Sequence, residues 1–259
     1  MTLNDQLALK LKLEGIFNRE VRRLFNRISI QYRIGVSTGN QVRAQKYAAA
    51  WNTTLENHYS RTQRAFTGIV KDDTKAQDDS RDDELIAALM AWSLNSSQTV
   101  TKQIIDTTQN EMDTALNQSR QALQDDGNFQ YSQRELAIVA ATIINRKFKG
   151  RESSIVITNT QQAAESTKLL GAYSEAGLDP MDAVTRERIP IKPKALKEWQ
   201  DVGDKDVRRG HHASEVASVP IDQPFSVNGE RLMYPGDSSL GASAGNTINC
   251  RCSTLYTFN

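Results

Sequence analysis

Apolar side chains at Leu13, Ile16, Phe17, Val21, Leu24, Phe25 and Ile28 recur at steps of three and four residues, the period of one helical face. They predict an amphipathic helix over residues 4–32, with Arg19, Arg23 and Arg27 as a basic ridge on its solvent side. After the turn-like GVSTGN, Tyr47, Trp51, Leu55 and Tyr59 repeat every four residues and predict a second helix over 42–66. Its aromatic stripe reads as core packing against the first helix. A charged stretch, KDDTKAQDDSRDDE, then leads to a helix start at Ser80, whose hydroxyl can cap the backbone while Asp82, Asp83 and Glu84 favour the positive end of the dipole.

Leu85, Leu89, Trp92, Val100, Ile104, Met112, Leu116 and Leu123 keep helical spacing, so a long helix is expected, broken or kinked at the polar NSSQT and stopped by DDGN. Ser132 and Glu135 form an S-x-x-E capping box ahead of an apolar run, with Gly150 as the expected stop. A further helix is expected over 151–174, ended by Gly177. The proline-rich 178–194 reads as an irregular connection. Beyond it, ALKEWQDV and STLYTF predict short strands, and PFSVNGERLMY predicts a hairpin, because Asn-Gly supplies the two positive φ values of a type I′ turn. The fold class expected is a mainly α N-terminal region of long helices, residues 1–150, joined to a small α+β module with short antiparallel strands, residues 151–259.

With 38% hydrophobic and 24% charged residues over 259 positions, the chain can bury a core and is not of disordered composition. The longest apolar run, Leu136 to Ile144, is far below the roughly 20 residues of a membrane span, and the leucines of the first 17 residues are interrupted by charges, so neither a membrane anchor nor a secretory signal is expected. The net charge of +1 hides a segregation: residues 1–70 hold eleven Lys/Arg against four Asp/Glu, and residues 71–130 hold five against twelve. Such blocks are either solvated helix faces or a basic arm facing an acidic partner or nucleic acid.

Both cysteines, Cys250 and Cys252, stand in one C-x-C. They are too close in sequence to close a useful disulfide loop, which points to a reducing compartment. With His211 they have the ligand chemistry of a zinc set, yet structural zinc normally takes cysteines in C-x2-4-C pairs. The plainer alternative is that they are small buried residues of the last strand and that His211 is a hydrogen-bonding residue of the fold. Cys250 or Cys252 with His211 as base and Asp204 as orienter would make a nucleophile, and Asp204 with His211 and His212, beside Asp201 and Asp206, would suit a metal-dependent nuclease. No oxyanion loop accompanies either set. The phosphate-binding patterns G-x-x-x-x-G-K-[ST] and G-x-G-x-x-G do not occur, and no cofactor is expected.

The order of residues over the last sixty positions resembles the C-terminal signature of the phage Mu F-like family of minor head proteins, also called head morphogenesis proteins. In that pattern a Trp-containing strand leads to an Asp, then to Arg-x-x-His, a segment with Pro-Phe, a Pro-Gly-Asp turn and a terminal Asn-Cys-Arg-Cys. Here these fall on Trp199, Asp204, Arg208, His211, Pro224, Phe225, Pro235, Gly236, Asp237, Asn249, Cys250, Arg251 and Cys252. Upstream, RESSIVITNTQQAAE is similar to the family's R-x-x-x-I-A-x-T-E helix at Arg151, Ile155 and Thr158, with Asn159 where an acidic residue is common. The resemblance spans residues 151–259.

It implies a structural, non-enzymatic component of a tailed-phage virion, inside the head at the portal vertex, assisting head assembly, genome packaging or ejection. The implied partners are the portal protein, the major capsid or scaffolding protein and packaged double-stranded DNA, with assembly in the host cytoplasm. A DNA contact through Arg19, Arg23 and Arg27 would accord with this role. Related modules can be fused to toxin or enzyme domains; a nuclease or transferase built on the module is the alternative, and the chain's end seven residues after Cys252 weighs against a fused effector.

Overall fold

The computed structural model describes residues 2–72, 79–125, 130–185, 195–203, 207–212 and 216–258. Four long helices dominate: α1 (Leu3–Ser37), α2 (Ala48–Asp72), α3 (Asp79–Asp125) and α4 (Gln133–Glu175). They precede a short α5 (Pro180–Thr185) and a C-terminal set of β1 (Ala195–Gln200), β2 (Val219–Pro220), β3 (Phe225–Val227), β4 (Glu230–Leu232), α6 (Ala244–Thr247) and β5 (Ser253–Phe258). The expected class, long helices followed by a small antiparallel-strand module, is the one observed.

The helices are longer than expected. The first runs on through Gly35, where a Cβ would sit 2.2 Å from Val42 Cγ2, so that the chain can double back tightly into a 3₁₀ turn at Ala44–Tyr47. NSSQT does not interrupt α3. Its buried positions are filled by Ser97, Thr101, Thr108 and Ser119 alongside Ile104, Met112 and Ala115, and their modest propensity penalty is small beside what tertiary burial supplies. Gly150 does not stop α4, which continues to Glu175 and merges the two helices expected there. An exposed glycine inside a helix costs only about 1 kcal/mol. The boundary at 150/151 therefore falls within one helix. The helix start lies at Asp79, ahead of Ser80, and the centre of the charged stretch, 73–78, lies outside the described residues, as does most of the 178–194 connection, whose described part includes α5. The capping box forms as expected: Ser132 N donates to Glu135 Oε2 at 2.7 Å and Glu135 N to Ser132 Oγ at 3.2 Å. Gly177, at φ +74°, ends α4, with Leu178 N closing onto Tyr173 O at 3.0 Å.

The chain divides into two units. One, residues 16–57 and 95–155, has only helices among its described elements. Its core gathers Phe17, Val21, Phe25 and Ile28 with Trp51, Leu55, Met112, Ile144 and Phe148. Phe25 stacks on Phe148 at 4.4 Å and meets Trp51 edge-on at 5.2 Å, and the Arg151 guanidinium lies 5.6 Å over the Phe25 ring while bonding Glu111 Oε2 at 2.6 Å.

The second unit combines residues 1–15, 58–94 and 156–259. Its strands form a three-stranded antiparallel sheet, β2-β1-β5, and a separate β3-β4 hairpin. β1 pairs Ala195 to Gln200 with Phe258 to Ser253. The hairpin turns at Asn228 and Gly229, both at positive φ, 51° and 77°, as the Asn-Gly pair requires. In β1 the inward residues are Ala195, Lys197 and Trp199, while Leu196 faces out. A lysine thus occupies the core register: its Nζ donates to Met233 O at 2.7 Å and lies 4.9 Å from the centre of the Phe225 ring. Burial pulls its pKa down to about 7 against the pull of Asp237 and Asp222.

Helix α4 anchors this unit through Glu165, which is wholly buried. Its carboxylate accepts from Lys10 Nζ at 2.7 Å, Lys168 Nζ at 3.3 Å, Ser253 Oγ at 2.9 Å and Thr254 N at 2.9 Å. Burial alone would raise its pKa, but the two ammonium groups and the hydrogen bonds more than offset this and hold it at about 2. No described helix is long and apolar enough to cross a membrane.

Candidate functional site

The residues that carry the motif are mostly fasteners of one small core. Trp199, on β1, donates from Nε1 to the His211 carbonyl at 2.9 Å and meets the rings of His211 and Phe225 edge-on at 5.5 and 5.4 Å. With Val216, Val227 and Leu232 these aromatic groups enclose Cys250 and Cys252. His211, Cys250 and Cys252 are 1%, 2% and 3% exposed, and both thiols are free.

Their ligand atoms lie within 4.8 Å of one another: His211 Nδ1 is 3.7 Å from Cys250 Sγ and 4.0 Å from Cys252 Sγ. Both cysteines of the C-x-C, on irregular chain leading into β5, turn their sulfurs to the same ring nitrogen. Arg251, between them, projects elsewhere and pairs with Glu14 through both terminal nitrogens at 3.2 Å. His211 reaches the cluster from a 3₁₀ turn, Arg209–His211.

The far side of the imidazole is equally ordered. His211 Nε2 lies 3.1 Å from Asn246 Oδ1, which also accepts from Asn228 Nδ2 at 2.8 Å. Asn246 Nδ2 donates to Glu230 Oε2 at 2.6 Å and to Val227 O at 3.3 Å. Burial opposes charge on His211, but its hydrogen bonds to Cys250 and Asn246 favour it and the balance raises its pKa. A hydrogen bond from Cys252 favours thiolate at Cys250 despite burial and raises the Cys252 thiol in turn.

The remaining motif residues hold turns and ends. Asp237, buried, accepts Met233 N at 2.9 Å and Ser239 N at 2.8 Å. Gly236 sits at φ +86°, where a Cβ would lie 3.1 Å from Gln161 Cγ. Gln161 in turn donates to Pro235 O at 3.3 Å and to Cys252 O. Arg208 donates to the Ile248 carbonyl. Asn249 adopts φ 56° and donates its backbone N–H to Thr158 Oγ1 at 3.1 Å. Pro224, half-buried, precedes β3. Asn159, where the family pattern commonly has an acid, accepts from Tyr59 OH at 2.6 Å.

Other expected constellations are not assembled. His212 turns to Asp201, 3.7 Å away, while His211 turns to the thiols, so the two histidines do not face one site. Asp204 and Asp206 lie outside the described residues. Arg151 and Ile155 belong to the helical unit. Arg19, Arg23 and Arg27 are exposed along α1, the ridge expected of them. Asn246 and Glu230, which orient His211, carried no sequence signal, nor did the Lys10–Glu165 pair, 155 residues apart.

No protein-family model, curated protein or solved structure matches the chain. The resemblance rests on the ordered residues themselves.

Proposed function

We propose that this chain is a minor head protein of a tailed bacteriophage, of the phage Mu F-like type, acting as a structural component at the portal vertex inside the head. The observation that carries this reading is how the motif is used. Trp199, His211, Phe225, Cys250 and Cys252 fill one core, and Asp237, Gly236, Arg208 and Arg251 secure the turns and ends around it. A motif spent on internal fastening suits a module that must persist as a rigid body in an assembly.

An enzymatic reading has one observation in its favour, since Cys250, His211 and Asn246 are the constituents of a thiol nucleophile, its base and an orienter. Burial weighs against it: a sulfur on a residue 2% exposed has no access to substrate. The hollow lined by Trp92, Leu170 and Tyr234 and the one lined by Asn52, Lys102 and Asp106 involve none of the three.

In the proposed role the acidic stretch 71–130 and the apolar helix faces dock on the portal, and Arg19, Arg23 and Arg27 meet packaged DNA; capsid or scaffolding protein is a further partner. The test is co-expression with the portal protein of the same phage, followed by size-exclusion chromatography with light scattering. A complex of defined stoichiometry is expected. Replacing the three arginines with alanine should lower the slope of log affinity for duplex DNA against log salt by about 2–3, at roughly 0.9 for each phosphate no longer neutralised. A chain that elutes alone beside intact portal would overturn the portal assignment.

A further inference from the structure

We infer that His211, Cys250 and Cys252 form a zinc site that clasps the 3₁₀ turn at Arg209–His211 to the segment entering β5. The inference does not depend on the role proposed above.

Three observations carry it. The first is geometry. In a tetrahedral site with Zn–S of about 2.3 Å and Zn–N of about 2.0 Å, a ring nitrogen and a sulfur stand about 3.5 Å apart and two sulfurs about 3.8 Å. Here Nδ1 lies 3.7 and 4.0 Å from the two sulfurs and all three ligand atoms fall within 4.8 Å of one another, so a metal would draw them together by at most about 1 Å.

The second is the orientation of the ring. Asn246 spends its amide hydrogens on Glu230 and Val227 O, which leaves Oδ1 as the acceptor facing His211. Nε2 must then carry a proton, and in the neutral ring Nδ1 presents its lone pair to the sulfurs. A ligating histidine held through its other nitrogen by an oxygen acceptor is the usual outer-shell arrangement of zinc sites. Here that acceptor is itself held by a carboxylate.

The third is charge. Three polar ligand groups sit in an otherwise apolar enclosure of Trp199, Val216, Phe225 and Val227. Two thiolates neutralise a divalent zinc ion, so the loaded cluster carries no net charge and can be buried at small electrostatic cost. Thiolate and imidazole together are also the donors that select zinc over the hard oxygen-seeking cations. Three protein ligands leave a fourth coordination position.

The experiment uses the full-length chain, reduced and purified without chelator. Metal content of the chromatographic peak should be one zinc per chain. Cobalt(II) added to metal-free protein should give sulfur-to-cobalt charge-transfer absorption with the intense visible bands of a tetrahedral ion. Cys250→Ser and Cys252→Ser should each weaken the charge-transfer band, and the double variant should abolish it. Asn246→Leu, which keeps all three ligands, should weaken zinc affinity by roughly 10–100-fold, as loss of an outer-shell partner does. If the variants do not fold, the cobalt spectrum of the unaltered chain decides. Folded protein that takes up no zinc from one added equivalent, or a cobalt spectrum without sulfur charge transfer, would overturn the assignment.

Discussion

Removing the negative charge at Glu165 while keeping its shape is the most incisive perturbation of this fold. In Glu165→Gln, Lys10 and Lys168 lose their counter-charge, although their side chains are only 5% and 9% exposed. The Thr254 N–H that Oε2 accepts loses a charged partner. Breaking a buried ion pair from one side costs about 3–5 kcal/mol. Linkage provides an independent figure: a carboxyl held at about 2 in the folded state against an ordinary 4.5 corresponds to about 3 kcal/mol. The two routes agree on a loss of about 3–4 kcal/mol at neutral pH. Urea unfolding followed by tryptophan fluorescence should show the midpoint falling by about 1–2 M, for a slope near 2–3 kcal/mol per molar.

The pH dependence follows with a definite sign. The folded pKa is depressed, so the contribution is fully present above pH 4.5 and is lost as pH falls from 4.5 towards 2. The variant should lack that portion of the acid limb. Replacing Lys10, Glu165 and Lys168 together with methionine should recover most of the lost stability, because no uncompensated charge remains. A cost below about 1 kcal/mol for Glu165→Gln, or an acid limb unchanged from the parent, would refute the reasoning.

Lys197 offers the opposite case. Its folded pKa of about 7 lies below the ordinary 10.5, so the folded state releases its proton first and stability should rise as pH climbs from 7 towards 10.5. Lys197→Met should remove that rise, and thermal melts between pH 6 and 10 check it. Gly210→Ala should disturb the histidine's support, because a Cβ there would lie 1.7 Å from Asn228 Oδ1, and Asn228 must move off Asn246. A loss of about 1–2 kcal/mol with altered His211 ring resonances by NMR is expected, and unchanged resonances would count against the Asn228–Asn246–His211 chain of hydrogen bonds.

What could be read in advance tracks what periodicity encodes. The aromatic stripe of Tyr47, Trp51, Leu55 and Tyr59 and the Asn228-Gly229 turn were legible because each is a local pattern with one structural solution. The full span of α3 was not, since Ser97, Thr101 and Thr108 occupy its buried face and look solvent-facing to a hydrophobicity count. Lys197 takes an inward position in β1 while Leu196 faces out, a register that side-chain polarity does not reveal. At the candidate site, ligand types could be named from the sequence, but convergence could not: His211 and Cys250 are 39 residues apart, and the chain between them makes a hairpin and a short helix before returning. Glu165 gave no signal because its partners lie near residues 10 and 253, and long-range ion pairs leave no mark on either segment.

The assembly of one unit from residues 1–15, 58–94 and 156–259 imposes an order in time. Glu14 is bonded to Arg251 across 237 positions, and Gln6 to Ser253 across 247. At translation rates of about 5–20 residues per second, roughly 12–50 seconds separate the emergence of these partners. Until α4 emerges the first helix carries Leu13 and Lys10 without the Ala164 and Glu165 that meet them, and β1 then awaits β5. Completion of this unit is therefore a late event, tied to β5 leaving the ribosome. A nascent chain stalled before β5 should be a substrate for chaperones and proteases, and the finished chain should resist them.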